Sequence, residues 1–212
     1  MNRATRLIVA TLGVLGGIGG IDHGFFETLH GNAPTNGLFI QSIGEANRLW
    51  VYGTEDAFTL VPNFLITGLL AIGLSIAIMV WAVGFVHRKN GPLIFTLLFV
   101  LLFLAGGGVA QVVFFAVICA ASTRINAPLT WWRRALPENS QQAISGLWPA
   151  ALVAGVLLFF VALEVAIFGF VPGVSDPWQK EIVCWSFLAG GLVAFLLTFV
   201  SGFAHDIQVS GA

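Results

Sequence analysis

The chain has 212 residues, 58% of them hydrophobic and only 9% charged, with a formal net charge of −1. Soluble domains carry about 25% charged residues, so this composition cannot clothe a sizeable water-facing surface. It points to an all-α integral membrane bundle, and the lack of a basic surface to neutralise phosphates argues against nucleic acid as a partner.

The first apolar run covers residues 7–29 and follows Arg3 and Arg6. This layout imitates a signal peptide, but no small-x-small cleavage site follows the stretch 7–20, which runs on into Ile21-Asp22-His23, so a retained first span is expected. Gly31 is placed to end that helix. Residues 31–61, with Glu45, Arg48, Trp50, Tyr52, Glu55 and Asp56, are too polar to span. They read as a small extracytoplasmic cap with Trp50 and Tyr52 at headgroup level. Four more apolar runs follow, 62–86, 92–121, 149–171 and 182–204, each long enough for the about 20 residues that a bilayer requires. Pro62, Pro92 and Pro149 open three of them, a position suited to the first helical turn. Between the third and fourth, Trp131-Trp132-Arg133-Arg134 has the pattern of an interfacial anchor with basic heads. The whole reads as one transmembrane domain over 1–212. Cys119 and Cys184 lie inside apolar runs and read as small buried hydrophobes.

Orientation follows from Lys and Arg, which are retained on the cytoplasmic side. Arg3 and Arg6 place the N-terminus in the cytoplasm of a prokaryotic inner membrane, and Arg88 and Lys89 return there two spans later. If 92–121 crosses, Arg48, Arg124, Arg133 and Arg134 lie outside against Arg3, Arg6, Arg88, Lys89 and Lys180 inside, which is hardly a bias. If it turns back, only Arg48 and Lys180 lie outside. Gly106-Gly107-Gly108 near its middle offers the turning point, leaving two arms of roughly 20 Å each. Four full spans plus a re-entrant hairpin are therefore expected; the alternative is a fifth, tilted span with the glycines as a packing face.

Polar chemistry concentrates at the end of the first run, Gly20-Ile-Asp-His-Gly-Phe-Phe-Glu-Thr-Leu-His30. On a helix His23, Glu27 and His30 fall within about 60° of one another, on the stripe that also holds Gly16, Gly19 and Gly20; Asp22 lies about 100° off it. Two imidazoles and a carboxylate at this spacing can face one metal ion, and Glu27-x-x-His30 has the spacing of di-iron carboxylate bundles. Those bundles need a second such pair, and neither Glu164 nor Glu181 supplies one. The bland reading is a hydrogen-bonded cluster holding the cap. Glu164 stands alone among Leu157, Phe160, Val161 and Phe168, where an ionisable group is costly and normally faces the bundle interior with a partner. With a cytoplasmic Trp-Trp-Arg-Arg loop, His23 and Glu164 reach similar depth, roughly 24 and 22 Å along their helices. Asn63, Thr67, Gln111 and Ser186 would lie near that level. His87, and the pair His205-Asp206, read as solvated interfacial groups.

The segments Gly16-Gly-Ile-Gly-Gly-Ile-Asp-His-Gly-Phe-Phe-Glu-Thr-Leu-His-Gly31 and Pro62-Asn-Phe-Leu-Ile-Thr-Gly68 resemble a group of small prokaryotic polytopic membrane proteins with no assigned function. The likeness covers roughly the first two thirds of the chain. It implies that the first-helix pattern and the Gly106–Gly108 region are features of a group, and it supplies no catalytic residue and no substrate. The leading expectation is a membrane binding or transport module. Its intramembrane polar site, built on His23, Glu27 and Glu164 with Gln111 nearby, would take a proton, a cation or a small polar ligand. Two rivals stand beside it: a membrane-embedded metalloenzyme with His23, Glu27 and His30 as ligands, and a non-catalytic subunit. The latter would dock partner helices or a second copy through Gly16 and Gly20, within the lipid bilayer.

Overall fold

The structure, a computed structural model, describes residues 1–211. In chain order these form α1 (Arg3–Leu29), β1 (Phe39–Gln41), β2 (Asp56–Thr59), α2 (Phe64–Gly84), α3 (Gly91–Leu104), β3 (Ala105–Gly108), α4 (Gln111–Ser122), α5 (Thr130–Ala135), α6 (Glu138–Ile144), α7 (Trp148–Phe168) and α8 (Pro177–Gly211). Four helices, α1, α2, α7 and α8, are long and apolar enough to cross a bilayer. The chain is not purely α-helical, since β1, β2 and β3 form an antiparallel sheet in that order. The chain forms two compact units. One is residues 10–119, and the other joins residues 1–9 to the chain from Ala120 onward.

In the unit 10–119, α1 is the central post, and glycines set its contacts. Along α1 the sequence Gly13, Gly17, Gly20, Gly24 meets Ala82, Met79, Ser75 and Gly68 of α2. The α2 numbers fall as the α1 numbers rise, so the two helices are antiparallel. The approach is close: a Cβ on Gly24 would stand 2.6 Å from the Gly68 carbonyl oxygen. Asn63 caps α2, its side chain accepting from the Ile66 N–H at 3.1 Å. Gly31, at φ 71°, follows the end of α1 as expected.

The third apolar run is not one long helix. It breaks at Leu104 into β3 and resumes as α4. Gly13, Gly16 and Gly20 meet Phe95, Phe99 and Leu102 in rising order, whereas Gly16 and Gly19 meet Phe115 and Gln111 in falling order. Hence α3 runs up α1 and α4 runs back down, and the rings of Phe99 and Phe115 stack 4.2 Å apart across the pair. A turn surrounded by apolar helices must satisfy its own peptide groups. Here β2 does so: Ala57 and Phe58 pair with Gly108 and Gly107, while Leu60 N–H donates to Leu104 O and Val109 N–H to Asp56 O, both at 2.9 Å.

In the other unit, α7 and α8 pair antiparallel, with Gly155 against Phe195 and Cys184 Sγ donating to Ala162 O at 3.4 Å. Pro149 sits in the first turn of α7, and Gly169 ends it at φ 59°. At 35 residues, α8 is about 52 Å long, well beyond the expected 182–204 span. Its extension carries Asp206, which is 5% exposed and is not the solvated group that the sequence suggests. Its carboxylate accepts the Ala4 N–H at 3.0 Å, the Thr5 N–H at 2.9 Å and the Thr5 hydroxyl at 2.7 Å. It thus satisfies orphan donors at the positive end of the α1 dipole. Asn2 adds bonds from its side chain to the Arg124 and Ala127 carbonyls. Replacing Asp206 by Ala is expected to lower stability by about 2–3 kcal/mol, the scale of losing hydrogen bonds to a buried carboxylate. Asp206→Asn should lose less, since one amide oxygen still accepts. Reversible unfolding in mixed micelles would measure both.

Candidate functional site

The end of α1 presents His23 and Glu27 one helical turn apart, on the face that meets β3. Both are buried, at 1% and 0% exposure. Close approach of backbone makes this possible. A Cβ on Gly108 would occupy the His23 ring position, and one on Gly106 would strike the Glu27 carboxylate. Gly106 also adopts φ 107°, a region costly to any residue with a side chain.

The sheet supplies the remaining groups. Ser42, immediately after β1, is 1% exposed, and its Oγ lies 2.8 Å from His23 Nδ1 and 3.2 Å from Glu27 Oε1. Glu55, immediately before β2, brings Oε1 to 2.9 Å from His23 Nε2, an ion-pair approach without hydrogen-bond alignment. Its side chain is 33% exposed, against 0% for His23. Ser42 and Glu55 are held in register by the bond from Ser42 N–H to Glu55 O at 2.9 Å. The result is a line of four polar side chains, Glu55, His23, Ser42 and Glu27, running from a partly open end to a closed one.

Hydrogen-bond arithmetic limits its protonation. Ser42 has one proton. If Oγ–H donates to Glu27, His23 must donate from Nδ1, and its Nε2 faces a carboxylate. An imidazolium between two carboxylates satisfies that arrangement. In the converse arrangement Ser42 donates to a neutral His23, whose Nε2–H faces Glu55, and a protonated Glu27 donates to Oγ. Both arrangements hold the same number of protons. They differ by two short hops through one hydroxyl.

The expected site residues separate. His23 and Glu27 come together as the helix stripe implies. His30 turns away: its Nε2 lies 3.1 Å from the Ser42 carbonyl oxygen, and its ring stacks on Phe64 at 4.0 Å. Among the described residues no group of three His, Cys, Asp or Glu side chains is placed to hold a metal ion. Gln111 packs on Gly19, with its Oε1 buried and without a hydrogen-bond partner. Glu164 belongs to the other unit and is exposed on α7. Thr67 bonds Thr59 at 2.7 Å between hydroxyl oxygens, Asn63 bonds Asn32, and Ser186 returns its hydroxyl to Ile182 O. Gly16 and Gly20 are covered by α2, α3 and α4 of this same chain. Ser42 and Glu55 are the members that sequence reading misses. Their only signal is alternating burial in very short strands, a loop serine and a loop glutamate.

A Ser–His–Glu set also has the residue types of a nucleophile, base and orienting acid. With Ser42 buried and hydrogen-bonded on both sides, however, no acyl substrate can reach Oγ. No protein-family model, curated protein or solved structure matches the chain.

Gly106→Ala is expected to displace the Glu27 carboxylate from Ser42 and to cost about 1–3 kcal/mol through backbone strain. Gly73→Ala, at a helical position with open space around it, should be neutral or stabilising by up to about 1 kcal/mol. Unfolding midpoints of the two variants check the contrast.

Proposed function

We propose that this chain is a multi-pass membrane protein that relays a proton along Glu55, His23, Ser42 and Glu27. The observation that carries the reading is the continuous line of four polar groups, three of them enclosed, with a histidine between carboxylates. Imidazole suits the task because it accepts at one nitrogen and releases from the other. The transfer balances simply. The His23 Nδ1 proton passes to Ser42 Oγ, and the Ser42 proton passes to Glu27 Oε1. An imidazolium and a carboxylate become a neutral imidazole and a carboxylic acid.

A proton fits this site better than a metal cation. Hard cations gather about six oxygen ligands, whereas within the four-group line one carboxylate oxygen, Glu27 Oε2, is buried and unpartnered. The half-open Glu55 is the end that exchanges with water. Glu27 is the inner terminus.

Membrane insertion is supported by where the apolar surface lies. Only 28%, 28% and 22% of the most apolar windows of α2, α7 and α8 are buried, against 61% for α1. Exposed apolar area of that extent does not persist on soluble monomers. In the bilayer α3 and α4, about 21 and 18 Å long, are the arms of a re-entrant hairpin, and irregular β3 lies buried in protein, where membranes tolerate it. Read this way, Arg88 and Lys89 would share a side with Arg3 and Arg6 at the start of α1 and Arg48 would lie on the other; a third run that turns back would return Arg124, Arg133 and Arg134 to the first side and leave Lys180 on the second. By the positive-inside rule the first side is cytoplasmic.

Two measurements test this. By carboxyl-region infrared difference spectroscopy of the protein in lipid nanodiscs after a pH jump, Ser42→Ala is expected to slow the appearance of protonated Glu27 by about 10²-fold, the scale of losing a positioned proton-transfer group; Glu164→Gln should leave that rate unchanged. A Ser42→Ala rate equal to that of the parent would sink the relay. Separately, Ser140→Cys in a background lacking Cys119 and Cys184 should react with impermeant maleimide only from the side on which Arg3 lies. Labelling from the opposite side would mean that the third run crosses.

A further inference from the structure

Outside the relay, one cluster has no role in it: the corner formed by α5 and α6. An open cavity of about 720 Å³ lies there, lined by Arg133, Arg134, Glu138, Gln141, Gln142 and Gln208 among others. Its size falls within the about 300–1,000 Å³ of ligand sites. The corner is built rather than loose. Gln141, 7% exposed, donates its amide to Leu136 O at 2.6 Å and to Arg133 O at 3.4 Å, and Trp132 packs on Phe203 of α8 with ring centroids 4.9 Å apart. Glu138 shares the cavity, yet among the described residues neither guanidinium has a carboxylate within ion-pair distance.

We infer that this cavity binds the phosphate of an anionic glycerophospholipid headgroup. Two adjacent guanidiniums offer forked donors of the geometry that phosphate oxygens accept. Gln142 and Gln208 supply amides for headgroup hydroxyls, while Leu136 and Ile207 form apolar wall where the glycerol begins. The exposed Trp131, 66% accessible, is the residue type that sits at headgroup level. A free phosphate would use the arginines but not the apolar wall or the tryptophan. The inference rests on membrane insertion and is independent of proton relay.

The test is native mass spectrometry of the full chain released from vesicles of phosphatidylglycerol and phosphatidylcholine. The parent should retain phosphatidylglycerol selectively. The Arg133→Gln, Arg134→Gln double variant should retain about 25-fold less, about fivefold per residue, from the roughly 1 kcal/mol each basic group contributes at an anionic surface. The Arg133→Lys, Arg134→Lys variant should keep most of the binding. Thermal unfolding of each variant reports its fold, the single glutamine variants give the same comparison if the double one unfolds, and an unchanged rate of Glu27 protonation separates this site from the relay. Equal retention of both lipids by the parent, or undiminished phosphatidylglycerol on a folded double glutamine variant, would overturn the inference. Displacement of lipid by millimolar inorganic phosphate would overturn the lipid assignment.

Discussion

The turn between α3 and α4 is the constraint on which the unit 10–119 depends. Backbone that leaves a helix among apolar side chains exposes donors and acceptors with no water to meet them. The chain meets this by bringing a strand down from the cap: β2 pairs with β3 and closes both of its ends, at Leu104 and Val109. Glycine is the residue that lets the strand lie flat against α1, because a Cβ at Gly106 or Gly108 would fill the space that Glu27 and His23 occupy. The same strand that satisfies the turn therefore also carries Glu55 to His23. Satisfying the backbone and assembling the polar line are one structural event.

This coupling explains what the sequence reveals and what it hides. The stripe of Gly16, Gly19, Gly20, His23 and Glu27 is legible because helical periodicity places its members without knowledge of any partner. The fold-back at Gly106–Gly108 is legible too, through basic-residue balance and the clustering of three glycines. The sheet is not. A strand of Ala-Gly-Gly-Gly has little intrinsic strand preference, and three or four residues in β1 and β2 are too few for alternation to speak. Ser42 and Glu55 follow from that blind spot, since they sit just outside those strands and meet α1 only through the pairing.

Glu164 fails for a different reason. A carboxylate in an apolar run is expected to face inward with a partner, but α7 ends at Phe168, one turn beyond it, with Gly169 in a left-handed cap. There it is exposed rather than enclosed. Asp206 fails in the opposite direction. Near the C-terminus it looks solvated, yet α8 continues far enough to place it on the N–H groups that open α1. Depth along a run is a weak guide to burial when the helix boundary is known only from hydropathy.

The enclosure of the four-group line bears on the proposed relay. Transferring a proton from His23 to Glu27 would replace an ion pair with two neutral groups and would leave Glu55 out of that exchange. The net charge of the four groups is the same before and after. No counter-ion would have to enter and no large solvent rearrangement would be needed, which matters where three members are shut off from water. What changes is the direction in which the Ser42 hydroxyl points, and the glycine strand leaves room for that and for little else. A metal ion would add charge that the enclosure could not screen and would demand ligands from His30, which is already committed to the Ser42 carbonyl and Phe64. The close packing of the glycine strand is thus what holds one hydroxyl between an imidazole and a buried carboxylate, the contact on which the proposed relay rests.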